Sequence, residues 1–445
     1  MNDEMAEDIL GDEGARGSKM TKKEKSWVLY DVGNSAFTMM VSTIIPIYYN
    51  WMAGQGGVSS VDYLASWGYA ISIATLISAV LGVLLGTISD HRGFKKKIFT
   101  AFVAVGAVAC ILLGVAQSWI VFIVVFVVAR IAYSDSLVFY DSMLIDVTVP
   151  ERMDKVSAHG YAWGYIGSCI PFIACLALNL FYEDIGITFN TAMLLSFIIT
   201  AVWWAGTTIP LLRCYKQIHY APEEGHPVSD GLKRLGRTFK QVKQQKHIFI
   251  FLLAFFFFID GVYTIIDMAT AYGTALGLDT TGLLLALLVT QFVAFPCAII
   301  FGKLADRFAT GKLILVCIAA YFCIAVYAIF LSSQFQFWVL AVCVGIFQGG
   351  IQAMARSYYA KLIPAKQSGE YFGLFDICGK GASVMGSFLV SAVSQLTGSM
   401  NLGVGAISAI MIVGFVLMIW SDRLANAHFS KSGKIGDVTV EETAA

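Results

Sequence analysis

Gly86-Thr-Ile-Ser-Asp90-His-Arg-Gly93-Phe-Lys-Lys-Lys97 follows directly on an apolar run at 64–88, and Gly302-Lys-Leu-Ala-Asp306-Arg307-Phe-Ala-Thr-Gly311-Lys312 follows another at 282–305. Gly86 and Gly302, and likewise Asp90 and Asp306, stand 216 positions apart, so the chain repeats one half in the same direction. Each copy is a short turn between two apolar segments. Glycine there lets neighbouring helices approach closely, and the aspartate can meet a helix N-terminus or a turn arginine, Arg92 beside Gly93 or Arg307. Anchoring by positive charge accounts for Lys95–Lys97 but not for Gly86 and Asp90.

Working outward, runs near the ~20 apolar residues that cross a bilayer recur along the chain. They lie at 27–51, 64–88, 98–117, 119–141, 156–182, 190–212, 248–272, 282–305, 313–332, 336–360, 370–397 and 402–422. The expectation is an all-α membrane protein of twelve spans in two six-helix bundles, 27–212 and 248–423. A tail at 1–26, a linker at 213–247 and a tail at 424–445 complete the chain. Only 13% of residues are charged, against ~25% in soluble domains, which leaves a large surface for lipid. With the N-terminus inside, 27 of the 30 lysines and arginines fall in inside segments, and the outside loops hold none. The remaining three, Arg130, Arg356 and Lys380, fall within spans. By the positive-inside rule both tails face the cytoplasm, in a cell membrane. No short apolar leader with a cleavage site precedes the first span. In the linker, Leu232, Leu235, Phe239 and Val242 recur among basic residues, an amphipathic helix for anionic headgroups or a solvated connector.

Zero net charge argues against a nucleic-acid partner. The nine cysteines are scattered singly, with no CxxC, and the six histidines lie in loops, tails or helix edges. No HExxH, GxSxG or GxxxxGK[ST] run is present, so neither a metal or other cofactor nor an enzyme or nucleotide-driven pump is expected.

These turns resemble the signature loop of the major facilitator superfamily. The similarity extends to Trp27-Val-Leu-Tyr-Asp31-Val-Gly-Asn34-Ser-Ala-Phe37 in the first span and Val138-Phe-Tyr-Asp141-Ser in the fourth. It continues through Pro150-Glu, Gly160-Tyr-Ala-Trp-Gly-Tyr-Ile-Gly167, Asp260-Gly-Val-Tyr-Thr264, Gln348-Gly-Gly-Ile-Gln352-Ala-Met-Ala-Arg356-Ser-Tyr-Tyr, Leu362-Ile-Pro364, Phe372-Gly and Gly379-Lys380. Together they resemble the vacuole-effluxer-like branch of that superfamily, whose fungal namesake exports amino acids from the vacuole. The resemblance implies spans 1, 4, 7 and 10 around a central cavity.

The sequence agrees independently, because each of those spans carries polar residues at helical spacing. Span 1 offers Tyr30, Asn34 and Thr38, span 4 Arg130, Ser134 and Asp141, span 7 Asp260, Thr264 and Asp267, and span 10 Gln348, Gln352 and Arg356. A charge at mid-membrane costs at least ~2.5–3.5 kcal/mol, so those that remain pair with each other or line a water-filled path. Arg130 and Asp260, half-way along their spans, are the expected central charges, or else a buried ion pair. Asp260 or Asp267 would carry a proton and Arg130 an anionic part of the solute. Asp141 and Arg356 read as a gate salt bridge, Asp376 with Lys380 as a pair within one helix, and Asp31 as an interfacial anchor. Gly82 with Gly86 and Gly160 with Gly164 suit close helix contact, and Trp163 and Tyr165 read as interface packing or else as residues facing the solute. The expected activity is secondary active transport of a small polar solute, an amino acid or related metabolite, by a monomer working by alternating access with protons. A passive uniporter, or an exporter of sugars, drugs or lipids, fits the same fold.

Overall fold

The structure, a computed structural model, describes residues 19–58, 60–221 and 240–432, and the regular elements among them are all helical. Among the described residues, twelve helices are long and apolar enough to span a membrane. They are α1 Lys22–Ser42, α2 Ser60–Ser89, α3 Phe94–Val115, α4 Trp119–Ser142, α5 Met153–Leu180, α6 Phe189–Cys214, α7 Lys246–Ala275, α8 Thr280–Leu304, α9 Thr310–Ile329, α10 Gln334–Leu362, α11 Ser368–Thr397 and α12 Ile407–Ser432. Two of them have companions. α1 breaks at Thr43 and resumes as Ile44–Gln55, with Pro46 in the new first turn where its missing N–H matters least. Met400–Gly405 leads into α12.

Local chemistry sets several of these ends. Ser118 and Thr188 accept from the backbone N–H of Val121 and Thr191 to start α4 and α6, and Asp279 accepts from Gly282 to start α8. Ser333 forms a reciprocal capping box with Gln336 at the start of α10. The spans match their expected positions within a few residues, with two extensions: α1 begins at Lys22, and α12 continues to Ser432, into the stretch read as a tail. Of the linker helix expected over 232–242, Leu232, Leu235 and Phe239 lie outside the described residues. Helix resumes at Lys240 and breaks at Gln245 before α7.

The turns bearing the lysines and arginines share one end of the bundle with both described termini. That end is called the basic face below. Within each half the helices pack around aromatic and small residues, and the halves meet along two seams. One pairs α2 with α11, the other α5 with α8 and α10.

Candidate functional site

The first seam closes where the sequence placed its signature. A Cβ on Gly86 would lie 2.5 Å from the carbonyl oxygen of Gly369, so only glycine permits this approach of α2 to α11. That contact brings the buried Asp90 carboxylate under the first turn of α11, where it accepts from the N–H groups of Gly369 (2.8 Å) and Glu370 (3.0 Å). Free N–H groups and the positive end of the helix dipole make this a favourable seat for an anion. Lys95 supports it from α3, 3.8 Å from Asp90 and donating to Ser368 Oγ at 2.6 Å.

The second copy behaves differently. Asp306 and Arg307 are exposed, and neither makes a hydrogen bond to α5 among the described residues. Gly302 does press on α5, a Cβ there meeting Ala158 at 2.7 Å. The acid at this seam is Asp154, in the first turn of α5. It accepts from Thr310 Oγ1 (2.7 Å) and Ser357 Oγ (2.5 Å) and pairs with Lys361. The expectation that Asp306 latches as Asp90 does is therefore corrected. Asp306 lies in solvent, and the facing helix supplies the carboxylate instead.

Deeper, Arg356 of α10 is buried between the halves. Its guanidinium donates to Asp141 Oδ1 of α4 at 2.9 Å and lies 3.4 Å from Asp31 Oδ2 of α1. It also donates to Ser157 Oγ at 2.9 Å and to the Ser157 carbonyl at 3.0 Å. Its faces are covered by the rings of Trp27 and Tyr161, 4.6 and 4.3 Å from the guanidinium carbon. Gly160 makes room, since a Cβ there would stand 2.6 Å from Asp31 Oδ2. The expected Asp141–Arg356 bridge is present. Asp31 is no interfacial anchor but the second carboxylate of this triad, 6% exposed and held by Asn34 Nδ2 at 3.2 Å.

Towards mid-depth Lys380 pairs with Asp376 as the spacing suggested. It also reaches across the seam to Ser78 Oγ (2.6 Å) and to within 4.0 Å of Asp135. The polar contacts between the halves described here thus run from the basic face to about mid-depth.

Arg130 and Asp260 do not meet. Asp260 is fully buried on α7, accepting from Gly386 N of α11 (2.8 Å) and Thr264 Oγ1 (3.3 Å) within its own half. Arg130 lies over the Tyr133 ring, 5.6 Å from its centre, with no ion pair among the described residues. It shares a face of α4 with Ser134 and Asp141, and Asp141 points between the halves. Eleven residues at ~1.5 Å per residue set Arg130 roughly 16 Å beyond the Arg356 triad. Tyr30 and Asn34 turn inward, Tyr30 sharing a 2.6 Å hydrogen bond with Ser136 and Asn34 donating to the Tyr30 carbonyl. Gln348 lines a largely apolar cleft with Ile265, Leu287 and Val344, and Gln352 accepts from Tyr165 at 3.4 Å. Trp163 is 45% exposed and packs edge-on against Phe295 of α8. The side chain of Asp267 lies outside the described residues.

Sequence reading counted Asp135 among the carboxylates of the spans without giving it a role, and passed over Asp146 and Asp154. Asp146, in the turn after α4, accepts from Tyr215 Oη, from the N–H groups of Ile218 and His219 and from the His219 ring. Burial alone pushes its carboxyl up, but Lys95 and the His219 and Tyr215 hydrogen bonds outweigh it and hold it below the usual range.

A family model described as vacuole effluxer Atg22 like matches residues 20–147 and 145–426. An uncharacterized MFS-type transporter, YxiO, of Bacillus subtilis is 44% identical over 90% of this chain and 95% of its own length. Autophagy-related protein 22 of Coccidioides immitis is 24% identical over 80% of this chain and 72% of its own. Two solved structures share the fold at 13% identity, each covering 90% of this chain with a TM-score of 0.67. One is a bacterial homologue of the iron transporter ferroportin in an outward-facing state, over 99% of its length, and the other the E. coli fucose:proton symporter FucP, over 97%.

Proposed function

Since this chain belongs to the vacuole effluxer Atg22-like family of major facilitator proteins, we propose that it is a secondary active transporter, driven by protons, that moves a small polar solute by alternating access. An amino acid or closely related metabolite is the favoured solute. The observation that carries this reading is the Asp31–Asp141–Arg356 triad. It joins residues of α1 and α4 to one of α10, so it exists only while the halves are closed at the basic face. Opening that face must break it, and closing must remake it.

Two carboxylates set against one guanidinium leave a negative charge in low dielectric, which a proton or a cationic group neutralises most cheaply. Arg130, on the same face of α4 and without a carboxylate partner among the described residues, is available to a solute carboxylate. A zwitterion carries one group for each of these needs. Both termini would then be cytoplasmic, with the basic face on that side of a cell membrane.

Purified protein in vesicles, given a panel of labelled amino acids with and without an inward proton gradient, tests this reading. Gradient-driven accumulation of at least one of them, lost in Arg130→Ala, is the expected result. Equilibration without accumulation would replace coupling by passive uniport, and no uptake of any amino acid would remove them as the solute class.

A further inference from the structure

We infer that Asp135, linked through Ser78 and Lys380 to Asp376, is a proton-binding site whose occupancy sets how firmly α2 and α4 hold α11. The inference deepens the proton-driven reading above by naming the group that takes the proton.

Three elements build the site. α4 contributes Asp135, fully buried, α2 contributes Ser78, and α11 contributes Asp376 and Lys380. Gly82 of α2 lies beside both carboxylates, where a Cβ would stand 3.5 Å from Asp135 Oδ1 and from Asp376 Oδ2. Lys380 is paired directly with Asp376 and donates to Ser78 Oγ at 2.6 Å. Ser78 in turn donates to Asp135 Oδ1 at 2.6 Å, and Lys380 stands 4.0 Å from the same oxygen. Asp135 Oδ2 has no hydrogen-bond partner among the described residues.

The charges do not balance, with two carboxylates to one ammonium. Of the two, Asp376 has the cation in contact, so the surplus charge belongs to Asp135. No other charged group among the described residues faces it. Ser78 is the polar group on the α2 side, Lys380 and Asp376 come from α11, and on α4 the next is Asp141, already held by Arg356. A proton on Oδ2 leaves Lys380 and Asp376 matched one to one within α11 and removes the charge of Asp135 that draws Lys380 across the seam, leaving its hydrogen bond to Ser78. Proton uptake therefore loosens the closed state, and proton loss restores it. Lys380 and Asp376 are 14% and 20% exposed, which gives the proton a way in beside the buried Asp135. Asp260 lacks this leverage, because its partners Gly386 and Thr264 lie in its own half.

Infrared difference spectroscopy of the full chain in lipid, on acidification from about pH 8 to about pH 5 across the range where perturbed carboxyls titrate, reads the site directly and needs no solute. A protonated-carboxyl C=O band, assigned by isotope-labelled aspartate, is expected in the wild type and in Asp260→Asn and absent in Asp135→Asn. A band unchanged in Asp135→Asn, or lost in Asp260→Asn instead, overturns the assignment. If Asp135→Asn fails to fold, Ser78→Ala serves. Removing the donor to Oδ1 must shift the band and move its midpoint to higher pH, and an identical band overturns the site. Failure of the transport reading looks different: the band stays on Asp135 while no pH gradient drives accumulation of any solute.

Discussion

Exchanging the two signature aspartates for asparagine separates a latch from its sequence copy. Asn at 90 keeps one acceptor oxygen but replaces the other with an NH2 group facing the N–H groups of α11, and it leaves Lys95 with one carboxylate fewer. A charge-assisted hydrogen bond contributes about 1.5–3 kcal/mol, and an anion at a partly buried helix N-terminus about 0.3–2 kcal/mol. Since the two overlap, the closed state should lose about 2–4 kcal/mol, roughly a 30- to 700-fold rise in the open population. Ser368 is fully buried at this seam, so Ser368→Cys in a background lacking the nine cysteines reports opening through its maleimide labelling rate. Asp90→Asn should raise that rate by the same factor. Asp306→Asn, altering an exposed side chain, should change it by no more than about twofold. Labelling of Asp90→Asn at the parent rate, or equal acceleration by Asp306→Asn, would refute the asymmetry.

Arg356→Met leaves two buried carboxylates facing each other and should destabilise the closed protein by about 3–5 kcal/mol, seen as a lower melting midpoint in detergent, with Asp141→Asn added to it restoring part of the loss. Asp146 is held below the ordinary aspartate range, so its contribution is complete above the unfolded value near ~3.9 and fades as pH falls through the lower folded value. The stability advantage of wild type over Asp146→Asn should accordingly be full at neutral pH and shrink in acid, and an advantage that grows in acid would contradict the assigned partners. For sidedness, Asp184→Cys should react with an impermeant thiol reagent on intact cells and Lys216→Cys only after permeabilisation. The opposite pattern would invert the proposed orientation.

Family similarity, span count and the separation of basic turns from turns without lysine or arginine were legible in the chain itself. Each depends on quantities that run along one strand of covalent bonds: the length of an apolar run, the spacing of a repeat, the residue types in a turn. The same holds for the Asp90 turn as a candidate latch, although the Asp306 turn carries the same glycine and aspartate without closing a seam, and for the Asp376–Lys380 pair, set four residues apart on one helix. Periodicity also placed Arg130, Ser134 and Asp141 correctly on one face of α4. Periodicity gives a face and a depth, but not the neighbour that the face meets. That choice belongs to helix rotation and seam geometry, fixed by packing at places such as Gly86 against Gly369 and Gly160 against Asp31. So the fold alone decided that Asp31 joins Arg356 325 residues away, that Asp135 faces Lys380, and that Asp260 turns into its own half. It likewise decided that the repeat, similar in sequence, closes one seam with Asp90 and the other with Asp154. Matching turns thus meet different neighbours, Asp90 the free N–H groups of α11 and Asp306 water, because the approach of the facing helix is set by packing across the seam and not by the turn itself.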